Sequence, residues 1–286
     1  MKESIISEIR RLGTGLGPET LLSTRALFRP EVEAAPFANR KRIVDVPYGA
    51  HERHLLDIYP SDQPGSPVVL FVHGGGFVGG DKGGDGVFYC NVGRYFAHHG
   101  YTGVTMNYRL APAHSWPAGS EDVAAALHWI AQNIGEYGGD GSRIVLLGQS
   151  AGAGHSAGVL FDKRFAPPPG LKGVALMAGY YSANPPMAGG PDLYFGADPE
   201  YWEDRSPITH VQAGHLPVAL SIGEYDPAAI ADQTLLLAQA LNRADGHPPR
   251  LTWFEGDNHF SSVHSLGVDD DPVGKNLRAF FASVLV

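Results

Sequence analysis

The chain of 286 residues carries a formal net charge of −9 at pH 7, with 43% hydrophobic and 18% charged residues. This composition supports a sizeable buried core and excludes a disordered chain. The acidic balance argues against a nucleic-acid surface, because phosphate binding needs clustered Lys and Arg. A single cysteine, Cys90, excludes an internal disulfide and a cluster of thiolate metal ligands.

The N-terminal residues predict two short helices that stand apart from the rest of the chain. Apolar residues recur at helical spacing from Ile5 to Leu12, glycines interrupt the pattern, and a second helical piece covers 21–28 and ends before Pro30. We expect residues 1–38 to cover part of a functional site, with a simple structural brace as the alternative. No signal-peptide core and no apolar run of about 18 residues occurs. A cytoplasmic protein without a membrane partner is therefore expected.

From Arg42 onward the pattern changes to strands that alternate with helices. Residues 42–47 and 54–59 predict a β-hairpin, and the apolar run 68–72 predicts a strand buried on both faces of a parallel sheet. Further strands are predicted at 102–108, 144–147, 173–177, 218–222 and 250–254. The sequence thus predicts one α/β domain over 1–286, with about eight mainly parallel strands, helices on both faces and a loop-rich insertion at 181–210.

Chemically useful side chains follow several of these strands. Ser150 lies in a Gly148-Gln149-Ser150-Ala151-Gly152 sequence, Asp226 follows the seventh strand, and His259 follows the eighth. Ligands of parallel sheets bind outside the carboxyl ends of the strands, so we expect these three side chains to meet there. Alternatives exist for two of them, since the Ser150 segment can be a plain tight turn and Asp226 can cap the next helix. Glu224 and Asp257 are rival acids.

The chain resembles the α/β-hydrolase family, specifically its hormone-sensitive-lipase-like carboxylesterases. The matching segments are His73-Gly74-Gly75-Gly76-Phe77, Asn107-Tyr108-Arg109-Leu110-Ala111-Pro112, Gly148-Gln149-Ser150-Ala151-Gly152, Tyr225-Asp226-Pro227 and Asn258-His259-Phe260. The resemblance extends from about residue 42 to the C-terminus, and the pair of glycine motifs is its most specific part. Gln149 departs from the Asp of many relatives, and 1–38 and 181–210 are short for a full lid.

The predicted roles follow from the requirements of acyl transfer. Ser150 would be the nucleophile, His259 the general base and later the acid, and Asp226 the group that orients the imidazole. The resemblance implies that the backbone N–H groups of Gly75, Gly76 and Ala151 form an oxyanion hole. We expect Phe77 and Phe260, which flank these positions, to line the substrate pocket.

Other conspicuous residues receive structural interpretations. We expect His73 to fix the glycine loop by a hydrogen bond, and Arg109 to pair with Glu121 or Asp122. The histidines at 51 and 54 do not have the spacing of a metal-binding motif, so no metal and no cofactor is predicted.

The sequence therefore predicts a serine carboxylesterase that acts on small soluble esters through an acyl-enzyme. An arylformamide or amide hydrolase with the same machinery is the first alternative. A non-catalytic ligand-binding protein on a hydrolase scaffold is the second. Pairing into a homodimer and the natural substrate are left open by the sequence.

Overall fold

The computed structural model of the protein describes residues 3–183, 189–268 and 270–286. The strands are β1 (Ile43–Pro47), β2 (Leu55–Tyr59), β3 (Ser66–Val72), β4 (Thr102–Met106), β5 (Gly139–Gln149), β6 (Leu171–Met177), β7 (Val218–Tyr225) and β8 (Arg250–Asn258). The helices are α1 (Glu3–Leu12), α2 (Pro18–Ala34), α3 (Cys90–His98), α4 (Ala118–Asn133), α5 (Ala151–Phe161), α6 (Gly190–Phe195), α7 (Trp202–Arg205), α8 (Ala228–Asp245), α9 (Ser261–His264) and α10 (Pro272–Val284).

The strands form one sheet in the order β1-β2-β4-β3-β5-β6-β7-β8. β1 and β2 pair antiparallel, β2 pairs antiparallel with β4, and β3 to β8 run parallel. This arrangement is that of an α/β protein, as the alternation of strand and helix patterns predicted. It also brings the carboxyl ends of β3, β5, β7 and β8 to the same edge of the sheet.

The core lies on both faces of the sheet because successive residues of each strand point to opposite sides. In β3, Val68, Leu70 and Val72 pack with residues of α4, α5 and α8 on one face. Val69 and Phe71 pack with residues of α3 and α10 on the other face. All five side chains are at most 1% exposed. The continuous apolar run in the sequence is thus explained by burial on both sides.

Helix α2 continues through Pro30 to Ala34, so the predicted end before Pro30 is wrong. Phe28 and Val32, one turn apart on either side of the proline, are 0% and 3% exposed and pack in a cluster with Ile5 and Ile9 of α1. A proline inside a helix costs about 3 kcal/mol. Burial of two large apolar side chains on the same helix face offsets a cost of that size.

The predicted insertion contains more regular structure than a loop-rich segment would. Its described residues form α6, α7 and short 3₁₀ turns at Pro199–Tyr201 and Pro207–His210. Residues 184–188, which belong to the same prediction, lie outside the described part of the chain. No helix in the described ranges, including those of this insertion, is long and apolar enough to cross a bilayer.

His155 of α5 is a fully buried titratable group beneath this region. It is 1% exposed, its ring packs edge-on against Phe77 and Tyr108, and its two ring nitrogens have no hydrogen-bond partner among the described residues. Burial lowers the pKa of His155 to about 3 from the usual 6.5. The imidazole is therefore neutral in the folded protein at neutral pH.

We predict that acid destabilises the protein in part through His155. Between about pH 6.5 and pH 3 the unfolded chain binds a proton at this residue that the folded chain does not bind. Stability from this source is full above pH 6.5 and is lost as the pH falls. In His155→Leu, the dependence of the unfolding free energy on pH between about 6 and 4 should be shallower by about 1.4 kcal/mol per pH unit. Urea titrations across that range measure it, and an unchanged slope would contradict the prediction.

Candidate active site

Ser150 occupies a sharp turn between β5, which ends at Gln149, and α5, which begins at Ala151. Its backbone has φ 56 and ψ −123, a conformation that non-glycine residues rarely adopt. The turn requires glycine on both sides. A Cβ on Gly148 would lie 2.6 Å from the carbonyl oxygen of Gly152, and a Cβ on Gly152 would lie 2.1 Å from that of Val72. The glycines of the motif thus serve close backbone packing, which presents Ser150 at the end of the sheet.

Three side chains from separate strand ends form a continuous hydrogen-bonded chain at this turn. The Ser150 Oγ lies 2.9 Å from His259 Nε2, and His259 Nδ1 lies 2.7 Å from Asp226 Oδ1. Because an ionised carboxylate only accepts, Nδ1 is the donor to Asp226, and Nε2 is left to accept from the serine hydroxyl. The second carboxylate oxygen, Asp226 Oδ2, accepts from the backbone N–H of Gly223 at 2.6 Å. The three residues are between 3% and 6% exposed.

The rival acids have other partners. Glu224 Oε2 accepts from the N–H of Gly256, and Asp257 Oδ1 accepts from the Ser261 hydroxyl at 2.5 Å. Burial raises the pKa of Asp257 to about 7, which makes it a poor permanent anion for holding an imidazolium. Asp226 does not cap α8, since its second oxygen binds Gly223 instead. The structure therefore brings Asp226, and neither rival, to His259.

The glycine loop after β3, residues 74–76, lies beside Ser150, and a hydrogen bond from the His73 ring holds it in place. His73 Nδ1 donates to the carbonyl oxygen of Gly74 at 2.7 Å, as the sequence analysis expected, and its own carbonyl oxygen accepts from Tyr108. Burial lowers the pKa of His73 to about 4, so the ring is neutral. Gly75 has φ 144, and a Cβ there would lie 2.1 Å from the carbonyl oxygen of Gly79. Only glycine fits this loop at that position.

A cavity of about 600 Å³ opens onto the serine. Residues that follow the strands contribute Gly75, Gly76, Ser150, His259 and Phe260 to its wall. The N-terminal segment supplies Leu16, Pro18, Leu21 and Arg25, so residues before the first strand form part of the wall. Tyr180 also lines the cavity, whereas no described residue of the 181–210 insertion does.

Phe77 is not a pocket-lining residue, so that prediction is wrong. Its ring is 1% exposed, stacks on Tyr194 at a centroid distance of 4.6 Å and meets Phe195 edge-on at 5.3 Å. With a positive φ of 68, its backbone departs from the usual conformations, and the side chain lies in the aromatic cluster rather than in the cavity wall. Phe260 does line the cavity and packs edge-on against His259 at 5.5 Å.

Arg109 forms the ion pairs that were expected from the sequence, with Glu121 and Asp122. Its guanidinium contacts Asp122 and Glu121, and its backbone N–H donates to Asp122 at 2.7 Å. His54 Nε2 lies 3.0 Å from the same Asp122. These contacts tie the loop after β4 to α4.

Gln149 contacts His259, which its sequence context did not predict. Its side-chain amide donates to the carbonyl oxygen of His259 at 3.0 Å, and the same nitrogen lies 3.5 Å from His259 Nε2. The only signal in the sequence was its position directly before Ser150. That position alone does not show what the amide touches. Arg25 and Tyr89 of the cavity wall were also missed, because they come from segments distant in sequence.

Comparison with known proteins finds curated esterases that are similar to this chain. The family described as BD-FAE matches residues 56–160. Esterase LipC of Mycobacterium tuberculosis is 32% identical over 176 residues, covering 59% of this chain and 39% of LipC. Esterase LipQ of the same organism is 30% identical over 232 residues, covering 70% of this chain and 52% of LipQ. The chain spans between a quarter and about half of the length of the curated relatives that it matches.

A solved esterase from the archaeon Pyrobaculum calidifontis aligns over 100% of this chain and 99% of its own, with a TM-score of 0.72 and 22% identity. The protein therefore has the α/β-hydrolase fold. Within that fold, the similarity to curated esterases confirms the predicted resemblance to the hormone-sensitive-lipase-like carboxylesterases.

We predict that Gln149 positions His259. Gln149→Met keeps the length of the side chain but removes the donor to the His259 carbonyl oxygen, which should loosen the imidazole relative to Ser150. Loss of one such hydrogen bond is worth about 1.4 kcal/mol, or about a factor of ten. The measurement is the rate at which a fluorophosphonate labels Ser150. Gln212→Met, which changes an exposed glutamine outside the cavity, is the control. Labelling of Gln149→Met within twofold of the wild-type rate would contradict the prediction.

Proposed function

We propose that the protein is a serine carboxylesterase that hydrolyses small carboxylic esters through an acyl-enzyme intermediate. The observation that carries this proposal is the hydrogen-bonded chain Asp226–His259–Ser150, which opens onto the cavity. The similarity to curated esterases supports the same chemistry. A non-catalytic binding protein would not need this chain of groups.

The proposed reaction uses Nε2 of His259 first as a base and then as an acid, while Nδ1 stays hydrogen-bonded to Asp226. Nε2 takes the proton of Ser150 as Oγ attacks the ester carbonyl carbon, and it then gives that proton to the leaving alcohol. Asp226 holds the ring in the required tautomer and stabilises the imidazolium that forms. Water attacks the acyl-enzyme with the same proton transfers, which releases the carboxylic acid and restores Ser150.

The oxyanion of each tetrahedral intermediate would be bound by backbone N–H groups of Gly75, Gly76 and Ala151. Gly75 and Gly76 lie in the cavity wall with Ser150. Ala151 is the first residue of α5, where backbone N–H groups have no partner within the helix and the helix dipole favours negative charge. One such donor typically contributes about 3–4 kcal/mol to transition-state stabilisation.

We further propose that residues 1–38 form a partial cap and restrict the substrate to small esters. Leu16, Pro18, Leu21 and Arg25 contribute to the cavity wall, and α1 and α2 are held to the domain by buried apolar contacts. A cavity of about 600 Å³ is in the range of small-molecule sites.

Removal of the nucleophile or of the orienting acid should abolish most of the activity. We expect Ser150→Ala and Asp226→Asn each to lower kcat on p-nitrophenyl butyrate by roughly 10⁴-fold. Asp257→Asn is the control for the rival acid, and it should stay within about tenfold of wild type because Asp257 does not contact His259. Unchanged activity in Ser150→Ala would refute the proposal. A rate on an arylformamide well above that on the matched aryl ester would favour the amide-hydrolase alternative.

The partial cap can be tested with neighbouring leucines of α2. Leu21 lines the cavity, whereas Leu22 is 63% exposed and does not. We expect Leu21→Ala to change the ratio of kcat/KM for p-nitrophenyl octanoate to that for the acetate by about threefold or more, since the side chain bounds the acyl space. Leu22→Ala should leave the ratio as in wild type. Equal ratios in both variants would show that α2 does not bound the substrate.

A further inference from the structure

Arg25 is a positive charge in the cavity wall, and its guanidinium makes no hydrogen bond to the residues that the structure describes. It is the one Lys or Arg among the described residues that line the cavity with Ser150. The side chain is 15% exposed, and its Nε is buried without a hydrogen-bond partner in the described part of the chain. Its ion pair is a long one, 3.7 Å from Nη1 to Asp85 Oδ2.

Asp85 neutralises Arg25 only in part, because its other contacts are closer. One of its oxygens pairs with Arg29, and the other accepts the backbone N–H groups of Val87 and Phe88. Two arginines thus share one carboxylate, and Arg25 has the weaker contact. A guanidinium carries five N–H donors, and leaving them unmet in a partly buried site is costly.

Aromatic rings hold the Arg25 guanidinium at the cavity. Its central carbon lies 5.5 Å from the centroid of the Phe88 ring and 5.8 Å from that of Tyr89. Such cation–π contacts fix the position of a guanidinium while leaving its in-plane donors free. Tyr89 also lines the cavity, and its hydroxyl makes no hydrogen bond to a described residue. A second donor is therefore available beside the guanidinium.

The other charged group in the wall, Asp81, does not favour a cationic ligand instead. Its carboxylate accepts from Asn107 Nδ2 and from the backbone N–H of Gly83, both at 2.8 Å. Both carboxylate oxygens of Asp81 thus accept a hydrogen bond from the protein, whereas the Nε–H of Arg25 has no acceptor among the described residues. Among the charged groups of the cavity wall, the one with unsatisfied hydrogen-bonding groups is therefore the cation Arg25, which favours an anionic ligand.

We propose that Arg25 binds a carboxylate of the substrate, so that the preferred substrates are small esters that bear a second, ionised carboxyl group. This inference rests on the proposed esterase function and specifies its substrate class. A guanidinium matches the two oxygens of a carboxylate in a bidentate geometry, and charge-assisted hydrogen bonds are the strong ones. Arg25 binds the part of the substrate that does not react.

The test compares esters that differ only in a carboxylate or a neutral amide. One pair, 4-acetoxybenzoate and 4-acetoxybenzamide, varies the leaving group, and the other, monomethyl adipate and methyl adipamate, varies the acyl group. We expect the wild type to prefer the carboxylate in at least one pair. In Arg25→Gln, the carboxylate-to-amide ratio of kcat/KM for that pair should fall about tenfold or more, and Arg25→Lys should retain part of it.

Arg10→Gln is the matched control, because Arg10 lies on α1, donates to Tyr225 and does not line the cavity. It should keep the wild-type ratio. If the amide esters are hydrolysed but the ratio in Arg25→Gln equals that of wild type, the inference is overturned and the esterase proposal stands.

A binding measurement separates the two proposals if no ester is hydrolysed. Calorimetry with monomethyl adipate and 4-acetoxybenzoate in Ser150→Ala should give a Kd that rises about tenfold or more when Arg25→Gln is added. Binding that depends on Arg25 without hydrolysis would refute the esterase function alone. Binding equal in both backgrounds, or none, would overturn the assignment of Arg25.

Discussion

The close approach of the β5–α5 turn to β3 is the constraint on which the site depends. Gly152 packs on the carbonyl oxygen of Val72 at the end of β3, and Gly148 packs on the first turn of α5. No side chain can stand between these backbones. Ser150 is therefore held with a positive φ directly beside the glycine loop that follows β3. A looser turn would separate the serine from the groups that the other strand ends supply.

The sheet brings residues that are distant in sequence into contact at one of its edges. Asp226 and His259 follow β7 and β8, and they reach Ser150 only because the strands from β5 to β8 run parallel in order. Supporting contacts come from side chains that react with nothing, such as Gln149 on the His259 carbonyl oxygen and His73 on the Gly74 carbonyl oxygen. These hydrogen bonds limit the motion of the groups that we propose to contact the substrate.

Much of this arrangement could be predicted from the sequence because its signals are local. Strand periodicity located the sheet, and the residues after each strand identified Ser150, Asp226 and His259. Features decided by tertiary packing could not be predicted. Phe77 follows the glycine loop directly, but packing with Tyr194 and Phe195 buries it outside the cavity. Helix α2 passes through Pro30 because its apolar face is buried.

If Ser150 carries the acyl group during turnover, the acyl-enzyme can be trapped and located on the chain. The protein would be mixed with p-nitrophenyl acetate, quenched in acid within the first turnover, digested and mapped by mass spectrometry. We expect one acetyl group per chain, on Ser150, and we expect it to decay at the rate of steady-state turnover. Hydrolysis that proceeds with Ser150 unacetylated, or with the acetyl group on another residue, would contradict it.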